Sequence, residues 1–203
     1  VPIKQFSKEK DIIKEKCYLV NSLGLNEIYR KAKPMDILKI KSFKVFNKAK
    51  FIEYPKLGID ELDKIVEKIS ELSGGVLLID YGKQNLIDKN TLQLVMKNKK
   101  IGIDNLIESL GKADITSLVN FGLLKEYFAK KNLNVERIVS QKFFLEKMGI
   151  IERAKILEKK MTSEQKEYMS YTLKRLLDEN LMGELFKVIF AFKGNKQKFL
   201  GFK

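Results

Sequence analysis

Apolar positions recur at helical spacing over 60–72, where Leu62, Ile65, Val66, Ile69 and Leu72 share one face. Asp60 is placed to cap the start of this helix and Gly74-Gly75 to stop it. The continuous apolar run Val76-Leu77-Leu78-Ile79 follows and halts at Asp80-Tyr81-Gly82. A short run bounded by glycine predicts a strand buried on both faces. Helix, tight turn and buried strand is the rhythm of an open α/β sheet.

The pattern is weaker on either side. Residues 1–56 hold short apolar clusters such as Cys17-Tyr18-Leu19-Val20, punctuated by Pro34 and Pro55, and predict irregular strands and loops. Residues 83–112 are polar and read as a long loop or insertion. Helical spacing returns over 114–131 with Val119, Leu123, Leu124, Tyr127 and Phe128, and Asp114 or Thr116 is placed to cap it. A strand near 135–139 and a short helix through Phe143, Phe144 and Met148, ending at Gly149, come next. Thr162-Ser163-Glu164-Gln165 fits a capping box opening an amphipathic helix that Met182-Gly183 breaks. Residues 185–192 read as a long strand, Gly194-Asn195 as a turn, and 199–202 as a returning partner strand.

Composition narrows the chemistry. The net charge of +14 invites an anionic partner. Its distribution argues against nucleic acid: lysines are interleaved with Glu and Asp along the whole chain, and arginine occurs only at Arg30, Arg137, Arg153 and Arg175. With no histidine, His-based metal sites, Ser-His or Cys-His nucleophile pairs and the usual base near neutral pH are all excluded. Cys17 stands alone, so no intrachain disulfide can form, which fits a reducing compartment. No apolar run approaches the roughly 18 residues of a membrane span. A natural chain opens on Met; Val1 predicts an alternative start codon, a trimmed chain or a fragment.

Three stretches carry more than pattern: Gly74-Gly75-Val76-Leu77-Leu78-Ile79-Asp80-Tyr81-Gly82; the segment from Asn90-Thr91-Leu92-Gln93 to Ala113-Asp114-Ile115-Thr116-Ser117-Leu118-Val119-Asn120-Phe121; and Met182-Gly183-Glu184-Leu185-Phe186-Lys187-Val188. In this order and spacing they resemble the sequence blocks of the MidA-like class I S-adenosyl-L-methionine (SAM)-dependent methyltransferases, a family that includes a mitochondrial complex I assembly factor methylating arginine. Ser140-Gln141, Phe144-Leu145, Gly149-Ile150 and Arg153 also match, and Val1-Pro2-Ile3-Lys4-Gln5-Phe6 looks like the tail of the family's N-E-x-x-D-A-x-P-x-x-Q-F block. The resemblance covers nearly the whole chain and is strongest over 74–192.

The resemblance implies an α/β fold: the C-terminal portion of a seven-stranded, doubly wound class I methyltransferase domain with helical insertions. Strand five would lie at 76–79, strand six near 135–139 and the antiparallel seventh at 185–192. The whole of 1–203 would be one C-terminal half, with the cofactor loop upstream of Val1. Leu23-Gly24-Leu25 and Ser73-Gly74-Gly75 are too poor to serve as a G-x-G-x-G loop. No cofactor-binding residue is therefore assigned in this chain. SAM is expected to bind only with the missing N-terminal half, which could be separately encoded, and the chain alone is expected to be inactive. Left without that half, it is expected to be poorly soluble or partly folded. No metal is implied. The implied substrate is a protein arginine, and the implied location bacterial cytoplasm or mitochondrial matrix.

Asp80 and Tyr81 are the catalytic candidates, because the carboxyl end of a strand in an open α/β sheet faces the ligand crevice and a carboxylate can orient a guanidinium. Asp80 equally suits a turn before Gly82. Thr91, Gln93, Asp114, Thr116 and Asn120 are candidates for the substrate side, with loop order and helix capping as their plainer roles. The family pattern D-[IL]-T-A-H-V-D-F is altered here: Ser117 and Leu118 replace Ala and His, Asn120 replaces Asp, and Asn90 replaces the Asp of D-T-L-Q. Asn cannot act as a base near pH 7. A non-catalytic remnant of a split or decaying gene is thus a competing reading, and a basic nucleic-acid-binding module a third.

Overall fold

The computed structural model describes residues 2–22, 24–97, 99–195 and 197–203; Val1 and Leu23 of the motifs above lie outside the described residues. In chain order the elements are β1 (Lys4–Glu9), β2 (Ile12–Asn21), β3 (Gly24–Lys31), α1 (Pro34–Ser42), β4 (Phe51–Tyr54), α2 (Lys56–Leu72), β5 (Gly74–Lys83), β6 (Gln93–Met96), β7 (Lys99–Ile101), β8 (Asp114–Thr116) and β9 (Val119–Asn120). They continue with α3 (Phe121–Lys130), β10 (Asn134–Val135), β11 (Val139–Ser140), α4 (Gln141–Lys147), α5 (Ile150–Glu158), α6 (Ser163–Leu177), α7 (Met182–Leu185) and β12 (Phe186–Lys193). Two compact units result, one from 1–66 with 86–118, the other from 67–85 with 119–203.

The first unit is more regular than its sequence suggests. Where irregular strands and loops are expected, a four-stranded antiparallel sheet forms in the order β3-β2-β1-β4. Its signal is faint because β2 and β3 carry lysine and glutamate on an exposed face, while the inward positions are few. Phe6 and Ile52, paired across β1 and β4, are fully buried, and Ile13, Ile40, Phe43, Phe46 and Tyr54 complete the core. The rings of Phe43, Phe46 and Tyr54 meet at centroid distances of 6.3 to 6.5 Å. Burial, aided by the charges of Asp60, Asp63 and Asp36, pushes the Tyr54 phenol up to about 12. Asp36, in the first turn of α1, is buried and accepts from the Lys4 ammonium at 2.7 Å. Burial pulls the Lys4 pKa down, but hydrogen bonds to Asp36 and Glu15 outweigh it and leave it raised.

Residues 83–112 also hold more structure than a loop. β6 pairs with β7 and with β8, and Leu94, opposite Ile101 and Ile115, is nearly inaccessible. Asp114 and Thr116 therefore stand in a strand and do not cap a helix, correcting the sequence expectation. α3 starts at Phe121, capped by Asn120, whose side chain accepts from the Leu123 N–H at 3.0 Å. Asp60 is likewise not a cap. α2 starts at Lys56, directly after Pro55, whose carbonyl accepts from Ile59 N–H and whose ring fixes a helical φ.

In the second unit the strand order is β10-β12-β5-β9, with β11 also on β12. β5 and β12 run antiparallel from Gly74 opposite Lys193 to Tyr81 opposite Phe186, while β9 joins β5 in parallel only at Gly82 and Lys83. α3 packs against β5, β10 and β12, burying Phe121, Leu123, Tyr127 and Phe128. Val139, Phe144, Val188 and Phe202 form a core cluster that Phe143, Leu145, Phe190 and Phe199 flank. The expected return strand at 199–202 is instead a turn, held by Phe199 and Phe202 against Phe190, with Gly201 at φ +85°. Thr162 and Gln165 form the expected capping box of α6, but that helix ends at Leu177 and Met182-Gly183 opens α7. The Val76–Ile79 run is a strand, yet it is not buried on both faces: Leu77 and Ile79 are each 44% exposed.

Candidate functional site

The sequence candidates fall into two clusters, one in each unit. In the second unit the carboxyl end of β5 carries Asp80 and Tyr81. Asp80 is exposed, and one carboxylate oxygen accepts from the Tyr81 N–H at 2.7 Å. Lys187 lies opposite Asp80 in the ladder, but its ammonium donates to the Glu184 carboxylate at 3.0 Å and to the Glu184 carbonyl at 2.6 Å. Burial raises the Glu184 pKa, and hydrogen bonds from Ser140 and Lys187 outweigh it, holding that carboxyl below its ordinary range. The Tyr81 ring rests on Phe186 at a centroid distance of 5.9 Å. Among the described residues its buried hydroxyl has no hydrogen-bond partner, an unfavourable condition for a donor.

Gly82 follows because nothing larger fits. A Cβ there would lie 2.1 Å from the Val119 carbonyl oxygen. The Asp-Tyr-Gly block is therefore fixed by the close parallel approach of β9 as well as by any chemistry. Asn120, at the end of β9, is spent on capping α3.

In the first unit, Asn90 meets Gln5 of β1, and Thr91 meets a residue the sequence pattern does not single out, Glu53 of β4. Its carboxylate accepts from Gln5 Nε2 at 2.8 Å, from the Thr91 N–H at 2.9 Å and from the Thr91 hydroxyl at 2.5 Å. Gln5 also donates to Asn90 Oδ1 at 2.7 Å, and Leu118 N–H donates to Thr91 Oγ1 at 2.9 Å. This network ties β1, β4 and the 90–92 and 118 segments together, and Gln5 within it is buried. Thr91 is thus committed to a structural role. The cross-strand register of Gln5 with Glu53 is what places the pair, and a glutamate alternating with buried Ile52 and Tyr54 was the signal available. Gln93 lies opposite Thr116 across β6 and β8; the buried Thr116 hydroxyl has no hydrogen-bond partner among the described residues, and Asp114 is exposed.

A nucleoside cofactor needs backbone N–H groups presented by a glycine turn between a parallel strand and a helix. The described glycines with positive φ are Gly24, Gly74, Gly111, Gly149, Gly194 and Gly201, and none occupies such a turn. The parallel strand β9 runs directly into α3 at Asn120-Phe121, where Asn120 takes one of the first helical N–H groups. Among the described residues no group of three or more His, Cys, Asp or Glu is placed to hold a metal, and no helix is long and apolar enough to cross a membrane.

Comparison with known proteins places the chain. Residues 1–139 match the family described as "Putative S-adenosyl-L-methionine-dependent methyltransferase". The mitochondrial protein arginine methyltransferase NDUFAF7 of Danio rerio is 26% identical over 126 residues, which is 62% of this chain and 29% of that protein. A native crystal structure of an uncharacterized Burkholderia thailandensis protein superposes with a TM-score of 0.72 at 19% identity, covering 97% of this chain and 53% of that one. A Burkholderia thailandensis structure of the same superfamily, bound to S-adenosyl-homocysteine, gives 0.72 and 19% over 99% of this chain and 52% of its own. The chain therefore spans about half the length of those structures, and less of the zebrafish relative, while sharing their α/β fold with mixed sheets and helices. With its sequence blocks in order and its family match over more than half its length, the chain belongs to the MidA-like family of SAM-dependent methyltransferases.

Proposed function

We propose that this chain is the C-terminal portion of a SAM-dependent methyltransferase acting on a protein arginine, in bacterial cytoplasm or the mitochondrial matrix, and that it contributes the substrate side of the site. In this reading β5, the β10 and β11 pair, and β12 are the fifth, sixth and antiparallel seventh strands of a seven-stranded doubly wound sheet. The antiparallel β12 lying between β5 and β10 supports that assignment. In this reading the cofactor is held by residues outside this chain, which is supported by relatives about twice as long as the stretch they share with it.

The observation that carries the site is the exposed Asp80 carboxylate at the carboxyl end of β5, next in sequence to Tyr81, whose buried hydroxyl has no hydrogen-bond partner among the described residues. A guanidinium offers a planar fork of N–H donors that a carboxylate accepts in pairs. Asp80 is assigned to orient that fork, and Tyr81 to donate to a neighbouring acceptor. Gln93, Asp114 and Thr116 are substrate-side candidates within the first unit, where Thr91 is held by its own hydrogen bonds; Asn120, in the second unit, caps α3.

The competing reading, a non-catalytic remnant, draws on one observation: Asn90 and Asn120 replace family aspartates, and both are occupied as structural acceptors. A methyl-transfer assay separates the two. The chain is co-expressed with the part of the Burkholderia thailandensis relative outside the match, and labelled methyl is followed from SAM onto arginine-containing proteins. Transfer is expected, with Asp80→Asn lowering kcat by about 100-fold, the scale of losing a positioned charged group. An assembly that binds cofactor but transfers nothing to arginine supports the remnant.

A further inference from the structure

The block Met182-Gly183-Glu184-Leu185-Phe186-Lys187-Val188 stands out in the sequence, yet the roles given to Asp80 and Tyr81 make no use of it. Its residues form a built arrangement beside Asp80. Gly183 comes first because a Cβ there would run into the Leu177 and Asp178 carbonyls, so only glycine lets α7 start hard against the end of α6. The Gly183 N–H donates to the Asp178 carbonyl at 3.0 Å. Glu184 is then held from two sides, by the Ser140 hydroxyl and by the Lys187 ammonium at 3.0 Å. Ser140 is itself fixed as the cap of α4, accepting from the Phe143 N–H at 3.3 Å. Lys187 is gripped twice by one residue, since its ammonium also donates to the Glu184 carbonyl at 2.6 Å.

The ladder gives Lys187 another choice. It lies directly opposite Asp80, with Ser140 opposite it on the other side. Such neighbours share a face, stand about 5 Å apart at Cβ and favour each other when oppositely charged. Here the pair is not made. Asp80 accepts from the Tyr81 N–H, and among the described residues no ion pair reaches its carboxylate. Lys142, whose charge also acts on Glu184, is likewise taken up, by Glu179 at 2.7 Å. With 40 Lys and Arg against 26 Asp and Glu, cations outnumber the carboxylates they could pair with. An exposed carboxylate that faces a lysine and stays open therefore needs a cause, and Glu184 supplies one.

We propose that Glu184 is a positioning residue that captures Lys187 and so keeps the Asp80 carboxylate open for a guanidinium. The inference rests on the functional reading of Asp80 and deepens it: a site for a cationic side chain works only while the chain's own cation is held away. Without the capture, the Lys187 ammonium swings across to Asp80 and occupies the oxygens that a guanidinium fork would use. The effect falls on binding of the cation and not on the transfer step, so it belongs in KM.

A double-mutant cycle on the full chain alone tests the capture. Asp80→Asn, Lys187→Met and the pair are compared in denaturant melts, with Glu184 present and again in a Glu184→Gln background. With Glu184 present the two changes are expected to be additive within twofold in the unfolding constant. In the Glu184→Gln background a coupling of about fivefold is expected, the upper end for such a pair. Glu184→Ala repeats the cycle with no acceptor at the position. Additivity in all backgrounds overturns the proposal, and so does a coupling already present with Glu184 in place. In the arginine methyl-transfer assay, Glu184→Gln is expected to raise KM about fivefold with kcat within twofold, and adding Lys187→Met to restore KM. A raised KM that Lys187→Met does not rescue means a merely structural Glu184 and also overturns it. Coupling as expected with an unchanged KM removes Asp80 as the guanidinium acceptor and leaves the capture; no coupling removes the capture whatever the assay shows.

Discussion

Gly82→Ala is expected to destabilise the protein by about 3 kcal/mol or more, the upper range of overpacking. The added methyl would lie 2.1 Å from the Val119 carbonyl oxygen, 2.8 Å from its carbon and 3.0 Å from its nitrogen. All three are backbone atoms, so no side chain can swing away. Relief requires β9 to separate from β5, breaking the parallel join at Gly82 and Lys83 and shifting the start of α3. Gly111→Ala is the control: its φ of +75° makes alanine strained, but a Cβ there meets nothing within 4 Å. Its cost should stay near 1–2 kcal/mol. Thermal melts of the two variants measure the difference, and equal losses would show that backbone strain, not the β9 approach, fixes Gly82.

Glu53→Ala removes the acceptor shared by Gln5 and Thr91, with an expected loss of about 3 kcal/mol. For a chain of this size that corresponds to roughly 10 °C in melting temperature. Three donors lose their partner, and the main acceptor remaining to Gln5 is Asn90. Glu61→Ala, which removes an exposed i,i+3 pair with Lys64, should change stability by under about 1 kcal/mol. Thr91→Val combined with Glu53→Ala should cost less than the sum of the two alone, because both delete one bond. Strict additivity in denaturant melts would show that the network does not act as a unit.

The parts of the fold that were legible in the sequence share a physical cause. α2 and β5 announce themselves because one apolar period changes abruptly into a continuous run at glycine. The Thr162 capping box rests on local hydrogen bonds that a sequence can state. What was hidden depends on partners distant along the chain. The sheet of β1 to β4 buries only its alternate positions, and the exposed ones are charged. Asp114 and Thr116 carry the chemistry of helix caps, but pairing with β6 claims them for a strand. Phe199 and Phe202 look strand-like because they are aromatic and spaced, while their rings serve as a plug over Phe190.

The site divides along the same line. The Asp80-Tyr81-Gly82 block stands out in the sequence because it ends an apolar run, and the structure adds what no sequence states: a sealed phenol with no hydrogen-bond partner among the described residues. Glu53 stayed hidden because its role comes from Gln5 and Thr91, 48 and 38 residues away.

Under the proposed function, this chain supplies the substrate side of a methyltransferase whose cofactor residues lie elsewhere. Calorimetric titration of the full chain alone with S-adenosyl-homocysteine tests it most directly. No saturable binding is expected, with any dissociation constant on the order of millimolar or weaker. A low-micromolar dissociation constant for the chain alone would contradict it.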